Sequence, residues 1–381
     1  MNFSFTSDQE EMRAHARDLL ENICPPDYVE RCDAQATPPR AAFEALAKQG
    51  WLGLIVPEQY GGTGGSAVDV AIFLEEVGRQ SEELAMWVFR NMTYGGFAVM
   101  THGTQEQKEY LLPKVAKGEL SFAFGLTEPS SGSDAASLVT RADASSNDSY
   151  VINGQKIFTS GMDIANYCLL VTRTSKRDKK QDGITLFLVD TKLPGIEVQK
   201  IDTLGHRAIG TTQVFYNNVE VPADMMVGEV DQGWKTADSC LWYERLCLSA
   251  ARTGAATAAF ELALDYAKTR EQFGRPIGKF QAISHKLADM KVMLDISRLL
   301  FYRFAWAVDE GQATRHDAAI LKLHTSEAYK AISDMALQIF GGYGYCMEYP
   351  LQRFFRDSRL AVIGAGSSEI QRNIIAKSLG L

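Results

Sequence analysis

LWYERLCLSAARTGAATAAF, residues 241–260, decides the fold: wound as a helix it is apolar nearly all round, so it must be surrounded by protein. It lies inside a long Ala/Leu-rich helical pattern over 235–270, and further helical patterns follow at 280–310, 315–338 and 369–379. Segments of these lengths predict a C-terminal helical bundle with the 241–260 stretch at its heart.

Two charges sit in that apolar helix, Glu244 and Arg245, and they need a reason. The positions three and four away from Glu244 are Cys240, Leu241, Cys247 and Leu248, so no surface ion pair on the same helix is available. A desolvated carboxylate has a raised pKa, which suits a general base working near neutral pH. The alternative is a tertiary salt bridge to an Arg or Lys distant in sequence.

Upstream of the bundle the period changes from helical to alternating. Tyr150, Val151 and Ile152 lead into Asn153-Gly154, the dipeptide suited to a type I′ turn, and 155–158 leads out, so a β-hairpin is predicted. More β-rich runs at 167–174, 184–189, 196–201 and 213–221 read as a small sandwich or barrel. The charge cluster SKRDKKQD at 175–182 reads as a solvated hairpin loop. The first 120 residues are helical, starting with Ser7 and Glu10 as a capping box. A Gly-rich turn at 57–65 precedes helices over 68–77 and 105–116. The expected division is 1–120 all-α, 121–231 β and 232–381 helical, an α+β multidomain chain, as 381 residues would lead one to expect.

A net charge of −8 with no Lys/Arg block argues against nucleic-acid binding. No stretch approaches the roughly 18 apolar residues of a membrane span, and the polar, acidic residues 1–11 do not resemble a signal peptide, so a cytoplasmic protein is expected. The six cysteines show no metal-ligand spacing, which predicts reduced thiols and no metal. Sequons at Asn2, Asn91 and Asn147 carry no meaning without a secretory signal. There is no Walker loop, no HExxH and no GxGxxG between strand and helix; the GGYG at 341–344 follows a helix and reads as its terminating turn.

Four runs in register, LTEPSSGSD (126–134), REQFGRPIGKFQAISHKLADM (270–290), LQIFGGYGY (337–345) and RFFRDSRLAVIGAGSSEIQ (353–371), together resemble the acyl-CoA dehydrogenases across essentially the whole chain. The resemblance implies an N-terminal helical domain, a central β-barrel or sandwich domain and a C-terminal four-helix bundle, in a homotetramer that binds FAD. It places Leu126 and Thr127 at the flavin ring and Ser133 at the cofactor or the CoA arm. Phe158 and Ser160 fall where the family stacks an aromatic on the flavin and offers it a hydroxyl; the family commonly has Thr then Asn where this chain has Ser160 and Gly161. Arg270, Gln272 and Phe273 would reach the FAD of a neighbouring subunit, and Gln338 and Gly342 would hold its adenosine half. Ser367 and Glu369 stand at further cofactor positions, although Glu369 can pair with Arg372 on its own helix.

The family's usual base is the Glu of Tyr-Glu-Gly-Thr, and here that tetrapeptide is Gly364-Ala365-Gly366-Ser367. A branch that includes the isovaleryl-CoA dehydrogenases supplies its carboxylate from the bundle helix, where Glu244 stands. By that resemblance Glu244 removes the α-proton of an acyl-CoA, and the Ala365 N–H supports the thioester oxygen. Arg245, Gly364 and Gly366 border the substrate. The small residues of this loop suit a short, branched or polar acyl group. The 32–50 stretch and this loop look most like bacterial crotonobetainyl-CoA reductases, so the same site run as an enoyl-CoA reductase is the alternative, and a silent acyl-CoA-binding relative is another. Electron-transferring flavoprotein is the family's usual electron partner.

Overall fold

The computed structural model describes residues 4–145 and 148–381, so the sequons at Asn2 and Asn147 fall outside the described residues. The first unit comprises α1 (Ser7–Ile23), α2 (Pro26–Gln35), α3 (Arg40–Lys48), α4 (Ala67–Gln80), α5 (Glu82–Arg90), α6 (Ala98–His102) and α7 (Gln105–Ala116). Between α5 and α6 the chain Asn91–Phe97 winds as a π-helix, a form frequent at functional sites. The capping box of α1 is one residue earlier than the sequence suggests. Thr6 caps and Gln9 closes the box, because Gln9 reaches back to the Thr6 N–H while its own N–H donates to the Thr6 hydroxyl.

The middle unit holds β1 (Phe122–Gly125), β2 (Arg141–Ala144), β3 (Ser149–Ser160), β4 (Tyr167–Arg173), β5 (Ile184–Asp190), β6 (Ile196–Ile201), β7 (Thr211–Pro222) and β8 (Met226–Val227). They form one mixed sheet in the order β6-β7-β3-β2-β4-β5-β8, with β1 added to β4. Between β2 and β4 only Arg141 and Arg173 pair, and the two halves fold over an apolar core that includes Ile152, Cys168, Leu170, Phe187, Val214 and Tyr216. The expected hairpin at Asn153-Gly154 is not there: β3 runs straight through it. The register against β7 slips between Ile152 and Gly154, so the pair is a bulge. Gly154 has φ +151°, a Cβ on it would stand 2.6 Å from the Thr140 hydroxyl, and the Asn153 side chain accepts from the Asn218 N–H. The dipeptide's turn chemistry serves a close strand approach instead of a reversal.

The last unit contains α8 (Gly233–Thr269), a two-stranded arm of β9 (Glu271–Gln272) and β10 (Arg275–Pro276), α9 (Gln281–Asp309), α10 (Arg315–Phe340), α11 (Leu351–Ala361) and α12 (Ser368–Ser378). The helix α11 is absent from the sequence reading. As expected, α8 is the buried axis, packed by α4, α9 and α10. Its approach to α4 is set by two glycines: a Cβ on Gly254 would lie 2.0 Å from the Glu75 carbonyl, and one on Gly78 2.0 Å from the Ala251 carbonyl. Gly254→Ala therefore sets about 1 kcal/mol of gained helix propensity against a backbone clash that overpacking values put at about 1–3 kcal/mol or more. The clash wins, and a lowered melting temperature by calorimetry is the expected result.

Domain contacts are reinforced by a buried polar cluster. The Tyr329 hydroxyl donates to Glu82 (2.6 Å), the Ala208 and Ile209 N–H groups donate to Glu83 (both 3.0 Å), and the His206 N–H donates to Asp357 (2.7 Å). These bonds tie α5, the β-unit loop before β7, α10 and α11 together, and so fix the sheet against the bundle. Among the described residues no helix is long and apolar enough to cross a membrane.

Candidate active site

Glu244 lies on α8, with its side chain buried and its Oε2 without a hydrogen-bond partner. Among the described residues no Lys or Arg nitrogen comes within ion-pair distance of it, so the salt-bridge alternative is not what holds this carboxylate. Burial pushes its pKa above the ordinary carboxylate range. The Tyr94 hydroxyl, its hydrogen-bonding neighbour, and the charges of Arg245, Arg252 and Lys322 pull the other way without cancelling that rise. Arg245 is likewise buried, with Nε and Nη1 unpartnered, and has no ion pair among the described residues. Two adjacent buried charges, each without an ion pair among the described residues and with polar atoms unpartnered, mark a candidate ligand site.

The Gly364–Ser367 loop comes to this point. Arg245 Nη2 lies 3.8 Å from where a Gly366 Cβ would stand. The loop is held by its carbonyls: Lys322 Nζ donates to Gly366 O (2.7 Å), and Gln371 Nε2 donates to Ala365 O (3.2 Å) and Gly366 O (3.0 Å). Ala365 adopts φ +55°, an uncommon value for a residue with a side chain, and among the described residues its N–H has no acceptor. A loop whose Ala365 and Gly366 carbonyls are engaged while the Ala365 N–H is free is suited to receive an oxyanion. Ser367 caps α12, accepting from the Ile370 N–H (3.4 Å). The expected Glu369–Arg372 pair is not formed: Arg372 reaches Glu327 on α10 instead (3.7 Å), because α12 packs along α10 and brings that carboxylate nearer.

A second group gathers at the sheet. The Ile157 N–H donates to Thr127 O (2.9 Å), which fastens the 126–128 segment beside Phe158 and Ser160. Among the described residues the Leu126 and Thr127 N–H groups have no acceptor. Phe158 has φ +57° and is 61% exposed, an aromatic face turned out of the sheet by a strained backbone. Ser133 is exposed in the turn that follows.

A third group lies at the far end of α8. Arg270, Gln272, Phe273 and Gly342, together with Tyr266 and Tyr343, line a groove of about 560 Å³. Gln338 is exposed on α10 just before it. Phe273 has φ +52° and is 93% exposed, so the arm carries a large apolar side chain with nothing over it. Arg270 is 26 residues from Glu244 along one continuous helix, roughly 39 Å at 1.5 Å per residue. One chain therefore cannot bring the third group to its own Glu244.

Sequence reasoning missed Lys322, Arg252, Tyr94 and Arg90. Arg252 was legible as a third charge in the same apolar stretch as Glu244. Lys322 and Arg90 were legible as lone cations in apolar helical runs. Tyr94 gave no signal, because only the π-helical turn aims it at α8. Lys322 is fully buried, and burial together with Arg252 and Arg245 pushes its ammonium down to about 7.

Three family profiles cover the chain: the acyl-CoA dehydrogenase N-terminal domain over residues 6–119, the middle domain over 123–219 and the C-terminal domain over 231–380. The chain is similar to 3-(aryl)acrylate reductase of Clostridium sporogenes, 36% identical over 98% of this chain and 99% of that one. It is similar to the CarC subunit of the caffeyl-CoA reductase-Etf complex of Acetobacterium woodii, 32% identical over 98% and 99%. Among solved structures it is similar to butyryl-CoA dehydrogenase of Megasphaera elsdenii, with TM-score 0.96, 34% identity and full coverage of both chains.

Proposed function

The chain belongs to the acyl-CoA dehydrogenase family, and from that premise we propose that it dehydrogenates a short, branched or polar acyl-CoA across Cα–Cβ, with Glu244 as the base. FAD is the cofactor, and when bound it accepts the hydride that leaves Cβ. The free N–H groups of Leu126 and Thr127 and the outward ring of Phe158 fit the flavin. The groove with Arg270, Gln272, Phe273 and Gly342 fits the pyrophosphate and adenosine portion, with Gln338 beside it. Because that groove lies some 39 Å along α8 from Glu244, it serves a second copy's cofactor, which supports a homotetramer with shared sites.

The observation that carries the reading is a buried, unpaired Glu244 beside a free Ala365 N–H. Glu244 takes the α-proton onto its carboxylate. That proton is acidic enough for a carboxylate only if the thioester oxygen is held by strong donors, and the Ala365 N–H is the one this chain supplies. Lys322 and Gln371 fix the peptide that carries it. Tyr94 orients Glu244, Arg245 borders the thioester arm between Asp238 and the loop, and Gly364 and Gly366 leave room for the acyl group. Ser133, Ser160, Ser367 and Glu369 remain cofactor-side positions by resemblance, Ser133 also facing the CoA arm.

The reductive direction is the second reading. It is favoured by the similarity to an arylacrylate reductase and to a subunit of an Etf-associated reductase. The second of these also supports electron-transferring flavoprotein as the electron partner in either direction. Anaerobic addition of short and branched saturated acyl-CoAs to the yellow protein should bleach the flavin. A protein whose colour no saturated or unsaturated CoA ester changes, before or after chemical reduction, is not an acyl-CoA oxidoreductase.

A further inference from the structure

Arg90 ends α5 with its side chain 97% buried, and neither Nε nor Nη1 has a hydrogen-bond partner. No carboxylate among the described residues lies within 4.0 Å of it, although Glu83, Asp163 and Glu244 are near enough for their charges to be felt. Its position is specific. One turn on, Tyr94 is the hydrogen-bonding neighbour of Glu244. On the other side the guanidinium presses against Gly161, where a Cβ would stand only 2.5 Å from Nη2. A residue with a side chain at 161 would evict it, so the glycine next to Ser160 and the arginine on α5 make one arrangement. The guanidinium thus stands where α5 meets the turn that follows β3, the strand that carries Phe158, within reach of the Glu244 charge.

A buried guanidinium left unpaired is among the costliest groups a protein can hold, because its lost hydration is repaid by no partner. Such a group persists where a ligand completes it. The planar fork of Arg matches a carboxylate through two parallel charge-assisted bonds. Glu244 cannot be that partner, because it gives up its charge when it takes the α-proton.

Resting on the dehydrogenase reading above, we propose that Arg90 is a specificity-determining residue that binds a carboxylate at the distal end of the acyl chain. The substrate class is then a short CoA ester with an anionic terminus. Arg90 touches the substrate without sharing in the proton or hydride transfer, and Gly161 makes the space for it.

Two non-reducible CoA thioethers, whose alkyl chains end in a methyl or in a carboxylate, test this by calorimetry on the FAD-loaded protein. The carboxylate ligand should bind at least tenfold more tightly, and Arg90→Met should abolish the difference while leaving the methyl ligand within about twofold. Arg90→Lys should keep part of the preference. Without ligand, Arg90→Met should raise the melting temperature, since it removes an unpaired buried charge, whereas a structural arginine would lower it. Equal affinities in the wild type overturn the proposal even if no variant folds. A similar loss for both ligands in Arg90→Met overturns it too, by moving the guanidinium's role to the flavin. Bleaching by neutral saturated esters keeps the dehydrogenase reading whichever way this comes out, and its absence with every ester removes both.

Discussion

Glu244→Gln is expected to slow reduction of the flavin by a saturated acyl-CoA about 10²–10⁴-fold, the usual contribution of a positioned general base, while FAD remains bound. Glutamine preserves the shape of the side chain and can still accept from the Tyr94 hydroxyl, so the geometry on α8 survives and only the basicity is lost. The wild-type rate should also carry the signature of the buried carboxylate. A base works only when ionised, and burial holds the Glu244 pKa above the ordinary carboxylate range. The rate constant for reduction should therefore rise with pH through that elevated value and level off above it. The residual rate of Glu244→Gln should not show that rise. Stopped-flow reduction under anaerobic conditions measures both. A Gln variant reduced at the wild-type rate would remove Glu244 from the reaction, and the search for a base would pass to Tyr94.

The outcome depends on features that differ in how visible they are in the sequence. Glu244 was legible because an apolar helix with a carboxylate and no cation three or four positions away is a local contradiction, and a contradiction can be read without a structure. The long helices α8, α9 and α10 were legible for a related reason: their length and Ala/Leu content leave few other ways to bury them. The Asn153-Gly154 hairpin was misread because two residues specify a turn only if the strands on either side prefer each other. Here β3 finds β7 on one side and β2 on the other, and a close approach to Thr140 uses the glycine. Tyr94 could not be read at all, since its direction is set by a π-helical turn that no period in the sequence announces. Arg90 and Gly161 are 71 residues apart, and their mutual fit exists only once α5 and β3 are docked. What stayed hidden is what the tertiary structure alone brings together.

Lys156→Met is expected to have the largest effect on stability, about 3–5 kcal/mol, the cost of leaving one member of a buried ion pair alone. Lys156 is fully buried in β3, and its Nζ donates to Glu128 Oε1 (2.8 Å) and to Leu126 O (3.0 Å). The Glu128 carboxylate also accepts from the Val139 and Thr140 N–H groups (2.7 and 2.8 Å). One lysine thus anchors both ends of the 126–128 segment, whose free N–H groups are the ones proposed above to meet the flavin. Without it Glu128 keeps its charge in the interior with two amide donors, and the Leu126 carbonyl has none. Burial alone would raise the Glu128 pKa, but Lys156 and the amides more than offset it, so its folded value lies below the usual carboxylate range. The stability this gives is present at neutral pH and is lost as pH falls through that depressed value. Denaturant unfolding at neutral pH should show the full loss in Lys156→Met, and the difference from wild type should narrow in acid as the Glu128 carboxylate protonates. FAD affinity should fall with it, because the Leu126–Thr127 segment loses its fixed position, whereas Lys180→Met, which disturbs only the exposed pair with Asp134, should change neither. If Lys156→Met unfolds like the wild type and binds FAD equally well, the segment is held by the sheet alone and the ion pair is incidental to the flavin site.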